Sequence, residues 1–106
     1  MRIISVLFFL AMSPAVSNAE EDLLAGADIG YGEYLSGECV TCHHSAGLNE
    51  GIPSISGLDI EGFVYIMHAY RNKEMENPVM QLVAGRLDDE QIASLAVYFG
   101  SLNTGE

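Results

Sequence analysis

The chain has 106 residues, the size of a single domain. It carries 15 acidic residues against four Lys and Arg, a net charge of −11 at pH 7. A surface this acidic repels a phosphate backbone, so nucleic acid is excluded as a partner. The same charge favours solubility and attraction to a basic protein surface.

The N-terminus has the pattern of a secretory signal. Arg2 is followed by an apolar run over residues 3–12 and by the small residues Ser17-Asn18-Ala19. The run is too short to cross a bilayer as a helix, and an uncleaved anchor is the alternative that it leaves open. We therefore predict a signal peptide over residues 1–19, export to the periplasm, and no membrane span after cleavage.

Cleavage would leave one domain over residues 20–106. Its 87 residues are near the lower limit for a self-sufficient hydrophobic core, so a buried prosthetic group would supply apolar mass. Three basic residues remain against all 15 acidic ones, which gives a net charge of −12.

A first helix is predicted immediately before the two cysteines of the chain. Its apolar and aromatic residues recur at helical spacing: Ala27, Tyr31, Tyr34 and Leu35. Three glycines weaken this helix in isolation: Gly30, Gly32 and Gly37. We expect them to permit close packing of a second backbone, which we place in the C-terminal helix.

The pentapeptide Cys39-Val40-Thr41-Cys42-His43 has the C-x-x-C-H pattern of covalent haem attachment. The two thiols are spaced to add to the two haem vinyl groups, and the imidazole supplies one axial ligand to the iron. A disulfide across two intervening residues would be a poor structural link, and a thiol–disulfide oxidoreductase would show a βαβ pattern that this sequence lacks. The motif predicts one haem c held by two thioether bonds, with His43 as a metal ligand.

The middle of the chain is predicted to be a loop followed by a helix. Residues 44–58 are rich in helix breakers, and Asp59 is a good N-cap. The helix ends near Asn72 and has one apolar stripe, formed by Phe63, Ile66, Met67 and Tyr70.

A second loop is predicted over residues 73–79, where Asn77-Pro78 disfavours helical geometry, and the pattern leaves room for a short fourth helical segment around 79–85. The last helix begins after Asp88, with Gln91 positioned to complete a capping box. Its apolar side comprises Ile92, Leu95, Ala96, Phe99 and Leu102, and it should end at Gly100 or in the tail 103–105. With no strand pattern, the fold is predicted to be all-α, with three main helices and loops wrapped around one haem.

A second axial ligand must come from elsewhere in the chain, and five side chains are candidates: His44, Met67, His68, Met75 and Met80. Met80 is favoured because it follows the proline-containing loop and precedes the last helix. Met75 is the main alternative. We assign Met67 to core packing, a common use of its flexible thioether. His44 is too near His43 to reach the opposite face of the iron, and His68 lies off the apolar stripe.

Two further residue types are candidates for contacts around the haem. The carbonyl of Pro53 is placed to accept the second ring N–H of His43 and so to orient the imidazole; the alternative is that this proline only stiffens its loop. Arg71 or Arg86 is a candidate partner for a haem propionate, and either is equally compatible with a surface charge.

These residues resemble class I c-type cytochromes. The resemblance covers essentially all of residues 20–106 and includes Cys39 to His43, Gly51-Ile52-Pro53, Met80 and Leu87 to Phe99. From Asn77 to Phe99 the chain is most similar to the cytochrome subunit of flavocytochrome c sulfide dehydrogenase and to single domains of dihaem periplasmic cytochromes.

The resemblance implies a small class I cytochrome c fold with Met80 as the distal ligand and Pro53 behind the proximal His43. It also implies that a glycine near Gly32 packs against an aromatic residue such as Tyr98 or Phe99. The chain departs from many relatives in having His44 where they have glycine. With one C-x-x-C-H motif, it is not a dihaem protein by itself.

His/Met ligation closes both faces of the iron, which favours electron transfer over oxygen activation. The chain shows no acid–base or nucleophilic constellation, so we expect it not to be an enzyme by itself. We predict a periplasmic electron-transfer protein that meets a redox partner with a basic surface, either as a free shuttle or as the electron-accepting subunit of a flavoprotein dehydrogenase. The alternative is a gas-binding or sensory haem protein with a labile sixth ligand.

Overall fold

The computed structural model of the protein describes residues 3, 5, 23–43 and 52–102. Five helices lie entirely within these residues: α1 (Ile29–Leu35), α2 (Gly37–Val40), α3 (Ile60–Arg71), α4 (Pro78–Gly85) and α5 (Asp89–Ser101). No strand occurs in this part of the chain, so the all-α prediction is confirmed. None of the helices described is long and apolar enough to cross a bilayer. The predicted signal peptide, apart from residues 3 and 5, lies outside the described residues, as does His44.

The starts of the helices follow from their capping side chains. Asp59 accepts a hydrogen bond from the backbone N–H of Gly62 at 2.8 Å, as the sequence predicts. Asp88 and Gln91 form the predicted capping box, in which each side chain accepts from the backbone N–H of the other residue. The capping residues in the local sequence therefore determine where both helices begin.

Helix α4 corrects the boundary of the second loop. The predicted loop reached Val79, whereas the helix begins at Pro78 and contains Met80 in its first turn. Asn77 caps it by accepting from the N–H of Met80, and proline suits the first helical position because the N–H that it lacks has no partner there. The short fourth helical segment is confirmed, with its start one residue earlier than predicted.

The core lies between α3 and α5, closed by α4. Its buried apolar residues form one cluster: Ile55, Phe63, Val64, Met67, Ala84, Ile92, Leu95, Ala96 and Phe99. The predicted stripe of α5 is confirmed, and Phe63 and Phe99 pack ring against ring with centroids 6.0 Å apart.

One residue of the predicted α3 stripe was predicted wrongly. Ile66 is 41% exposed, and Val64 is buried in its place, because the buried face of α3 is turned toward both α4 and α5. Tyr34 is 81% exposed although it lies at helical spacing from half-buried Tyr31. The two rings stack at 6.4 Å, with Tyr31 accepting a hydrogen bond from Gln91 of α5.

Helix α1 crosses α5 at backbone contact. A Cβ built on Gly32 would overlap the backbone carbonyl of Ser94 and lie 2.8 Å from the Cβ of Tyr98. The buried Ser94 hydroxyl also accepts from the N–H of Asp28, just before α1. The expected close packing against the C-terminal helix is thus present at Gly32, whereas Gly37 has no atom within 4 Å of its built Cβ.

A second close approach explains why Gly100 does not end α5. The helix runs through Gly100 and ends at Ser101, so the first of the two predicted ends is wrong. A Cβ on Gly100 would overlap the side chain of Ile60 at the start of α3. This glycine provides interhelical contact and is not a cap.

Replacing Gly32 by alanine should destabilise the protein by about 3 kcal/mol or more, since the new methyl group would force α1 away from α5. The measurement is urea unfolding of the purified protein. Gly37→Ala is the matched control in α2, where the added methyl group meets open space and should stabilise by up to about 1 kcal/mol. Equal stabilities for the two variants would contradict the close crossing.

Candidate functional site

The C-x-x-C-H motif forms one continuous helical turn at the end of α2. The N–H of Cys39 donates to the carbonyl of Ser36, and the N–H of His43 donates to the carbonyl of Cys39 at 2.8 Å. Residues three and four apart share a face of a helix, so this turn directs both cysteines and the histidine to one side. The α1–α5 crossing fixes the position of this turn, since α2 follows α1 after the single residue Ser36.

His43 is oriented by the loop that precedes α3. Its Nδ1 lies 2.7 Å from the carbonyl oxygen of Pro53, the partner that the sequence predicts. A carbonyl only accepts, so Nδ1 carries the proton in this contact, and in the neutral imidazole Nε2 is then the unprotonated nitrogen. That tautomer leaves Nε2 as the nitrogen able to bind a metal.

The two thiols have different environments. Cys39 is half-buried and packs against the core cluster, whereas Cys42 is exposed. Burial raises the pKa of the Cys39 thiol to about 11, and the neighbouring Glu38 carboxylate adds to the shift. At neutral pH the Cys39 sulfur is therefore a neutral thiol facing an apolar surface.

An apolar cleft of about 470 Å³ opens beside Cys39. One wall comes from α1 and α2, with Leu35 and Cys39, and the other comes from the end of α4, with Val83 and Leu87; Leu95 of α5 also lines the cleft. A larger cleft of about 530 Å³ lies elsewhere, next to Tyr65 and His68. That larger cleft contains no residue of the C-x-x-C-H motif, whereas the smaller one is lined by Cys39. The lining of the smaller cleft does not include Cys42, His43 or Met80.

Met80 lies on α4, one turn before Val83 of the cleft wall. It is half-buried and packs against the same core cluster as Cys39. Met67 is buried within that cluster, which confirms its assignment to core packing. Met75 is exposed in the loop before α4, where its backbone carbonyl accepts from Gln81. Of the three methionines, Met80 is the one on an element that borders the cleft.

The two candidate arginines have different surroundings. Arg71 donates to the carbonyl of Leu87 at 3.2 Å and to the carboxylate of Asp89 at 2.6 Å. It also donates to Nδ1 of His68 at 2.9 Å. Its hydrogen bond holds the pKa of Asp89 below the usual value. Arg71 and His68 thus join α3 to the start of α5, whereas Arg86 lines the cleft.

The residues present fit a covalently attached haem. Helical spacing places the two thiols and the imidazole of the turn on one side, the carbonyl of Pro53 accepts from Nδ1 of His43, and Leu35, Val83 and Leu87 line the cleft beside Cys39. Sequence reasoning did not identify Leu35, Val83 and Leu95 as cleft residues. Their apolar character was visible, but which side of each helix would face α2 depends on the α1–α5 crossing.

No protein-family model matches the chain, and a search of curated proteins gives no match.

In the chain before haem attachment, iodoacetamide at pH 8 should alkylate Cys42 at least about tenfold faster than Cys39, because a pKa of about 11 leaves little Cys39 thiolate. Mass spectrometry of the digested protein would locate the label. Raising the pH toward 11 should increase the rate at Cys39. In urea the two rates should converge, and equal rates in native buffer would contradict the described environment of Cys39.

Proposed function

We propose that the protein is a monohaem c-type cytochrome that transfers single electrons in the periplasm and is not an enzyme by itself. The observation that carries the proposal is the hydrogen bond from His43 Nδ1 to the carbonyl of Pro53. It links a C-x-x-C-H turn to a residue ten positions away and gives the imidazole the tautomer that a haem ligand needs. The apolar cleft beside Cys39 supports the same proposal.

In this proposal each residue has a defined task. Cys39 and Cys42 hold the haem through thioether bonds, and His43 binds the iron through Nε2. Met80, which lies on α4 and packs against the core cluster, would be the second metal ligand. The bound haem supplies a one-electron couple between ferric and ferrous iron, and two protein ligands leave it without a free coordination position.

The remaining residues exclude water and orient the ligands. Leu35, Val83 and Leu87 give the cleft apolar walls, which lower the local dielectric constant and favour the less charged state of an enclosed group. Pro53 fixes the ring of His43 from behind. These features, with the all-helical architecture, support assignment to the class I cytochrome c fold.

The acidic surface supports a redox partner with a basic surface, in the form of either a free shuttle or the electron-accepting subunit of a flavoprotein dehydrogenase. Long-range attraction between opposite charges raises association rates and weakens with added salt. The high acidity suits the first form, and the resemblance to flavocytochrome c subunits suits the second. Both forms use the same haem site.

The deciding experiment is an absorption spectrum, oxidised and reduced, of protein matured in a bacterial periplasm. A c-type reduced spectrum with the weak sulfur-to-iron band in the oxidised state is expected. Covalent haem without that band would favour a gas-binding or sensory protein with a labile sixth ligand. Absence of covalent haem would overturn the proposal.

Met80→Ala should open the sixth coordination position, so that the reduced variant forms a carbon monoxide complex in full at saturating gas. Difference spectroscopy measures the complex, and the wild type should form little of it. Met75→Ala is the control, because Met75 is exposed in the loop before α4 and should leave the spectrum unchanged. A carbon monoxide complex in Met75→Ala but not in Met80→Ala would move the ligand to Met75.

A further inference from the structure

Helix α4 carries Met80 on the face that packs into the core. Met80, Ala84 and Leu87 follow one another at intervals of four and three residues, so they share one side of the helix and of the turn that ends it. Ala84 lies within the core cluster, and Met80 and Leu87 pack against it. Among the helices described, α4 has its main contacts with α3. The position of Met80 therefore depends on how firmly α4 is held on α3.

The side chain of Arg71 joins α3 to the far end of α4. Arg71 is the last residue of α3, and its Nη1 donates to the backbone carbonyl of Leu87 at 3.2 Å. The N–H of Leu87 in turn donates to the carbonyl of Ala84, in the last turn of α4, at 3.1 Å. The guanidinium is thus bonded to a residue that is itself bonded to α4.

Two further partners fix the orientation of the same guanidinium. Its Nη2 donates to the carboxylate of Asp89, the first residue of α5, at 2.6 Å. It also donates to Nδ1 of His68, one turn earlier on α3, at 2.9 Å. Arginine presents its N–H donors in a planar fork, so bonds from both Nη atoms set the direction of the group. With its side chain 25% exposed, Arg71 is held as a link between α3, the end of α4 and the start of α5.

We propose that Arg71 is a positioning residue for Met80: its bonds to Leu87 and Asp89 hold the end of α4 on α3 and keep the thioether in place as the second metal ligand. The inference rests on the proposed function and adds a residue that controls how firmly the sixth coordination position stays closed. Without these bonds the end of α4 is freer to move, and Met80 lies on the same side of that helix. A small molecule that competes with Met80 for the iron should then bind more readily.

Competition with free imidazole at pH 8 measures this restraint in the oxidised holoprotein. Imidazole must displace the methionine to bind, so its dissociation constant contains the cost of removing Met80, and loss of the sulfur-to-iron band reports the displacement. Arg71→Gln should lower the dissociation constant by about tenfold, equivalent to about 1.4 kcal/mol, because the charge-assisted link from α3 is lost. Arg71→Lys should lower it by about threefold, since an ammonium group keeps the charge but not the planar fork.

Asp59→Ala is the matched control. It removes the N-cap at the other end of α3 and should lower the free energy of unfolding by about 1 kcal/mol, while leaving imidazole binding unchanged. Urea unfolding gives the stability of each variant independently of the imidazole titration. An equal gain in imidazole affinity in Asp59→Ala would show that general loss of stability causes the effect, and it would overturn the positioning role.

The failure of this inference is distinguishable from the failure of the proposed function. A wild type that shows the sulfur-to-iron band, together with an Arg71→Gln variant that binds imidazole as the wild type does, would overturn the role of Arg71 and leave the proposed function standing. If Arg71→Gln does not fold, Arg71→Lys carries the test, and an unchanged dissociation constant in that variant has the same meaning. Covalent haem without the band in the wild type would overturn ligation by Met80 and, with it, this role of Arg71.

Discussion

The close crossing of α1 over α5 is the contact on which the candidate site depends. Helix α1 has seven residues, too few to be stable alone, and it contributes no fully buried apolar side chain to the core cluster. It is held on α5 by the contact of Gly32 with the backbone at Ser94. Two hydrogen bonds support this contact, from the N–H of Asp28 to the Ser94 hydroxyl and from the Gln91 amide to the Tyr31 hydroxyl. Because α2 follows after one residue, this crossing also sets where the cysteines and His43 lie.

Because α1 contacts α5 through its backbone, the apolar side chains of α1 and α2 are not used in that contact and can line the cleft. Leu35 and Cys39 reach the edge of the core cluster but remain half-buried, and together they form one wall of the cleft. A group enclosed there would complete their burial and join them to Val83 on α4. Helix α1 is thus held by one face, while Leu35 and Cys39 face the cleft.

The sequence predicted the parts of the structure that local chemistry determines. Asp59 and Asp88 were identified as N-caps because their hydrogen bonds close within three residues. The His43–Pro53 contact was expected from the chemistry of a metal-bound imidazole. The faces of the helices were harder to predict: Ile66 and Tyr34 have helical spacing but are exposed, since spacing does not tell which neighbour a helix will meet. Gly100 was predicted to end the helix because glycine is common both at helix ends and at close contacts between helices. The position of Ile60 shows that Gly100 is a close contact.

Helix α4 has one face that packs on the core and one that is exposed to solvent. Its short length and its capped start at Asn77 fix which residues point inward, so Met80 and Ala84 face the core while Val79 and Leu82 face solvent. The thioether of methionine is flexible, and the packing of α4 on α3 restrains where Met80 lies. Because one side of α4 is packed on the core, the apolar side chains on its opposite side are exposed to solvent. The inward placement of Met80 and the exposure of Leu82 therefore have one structural cause, the packing of one side of α4 on α3.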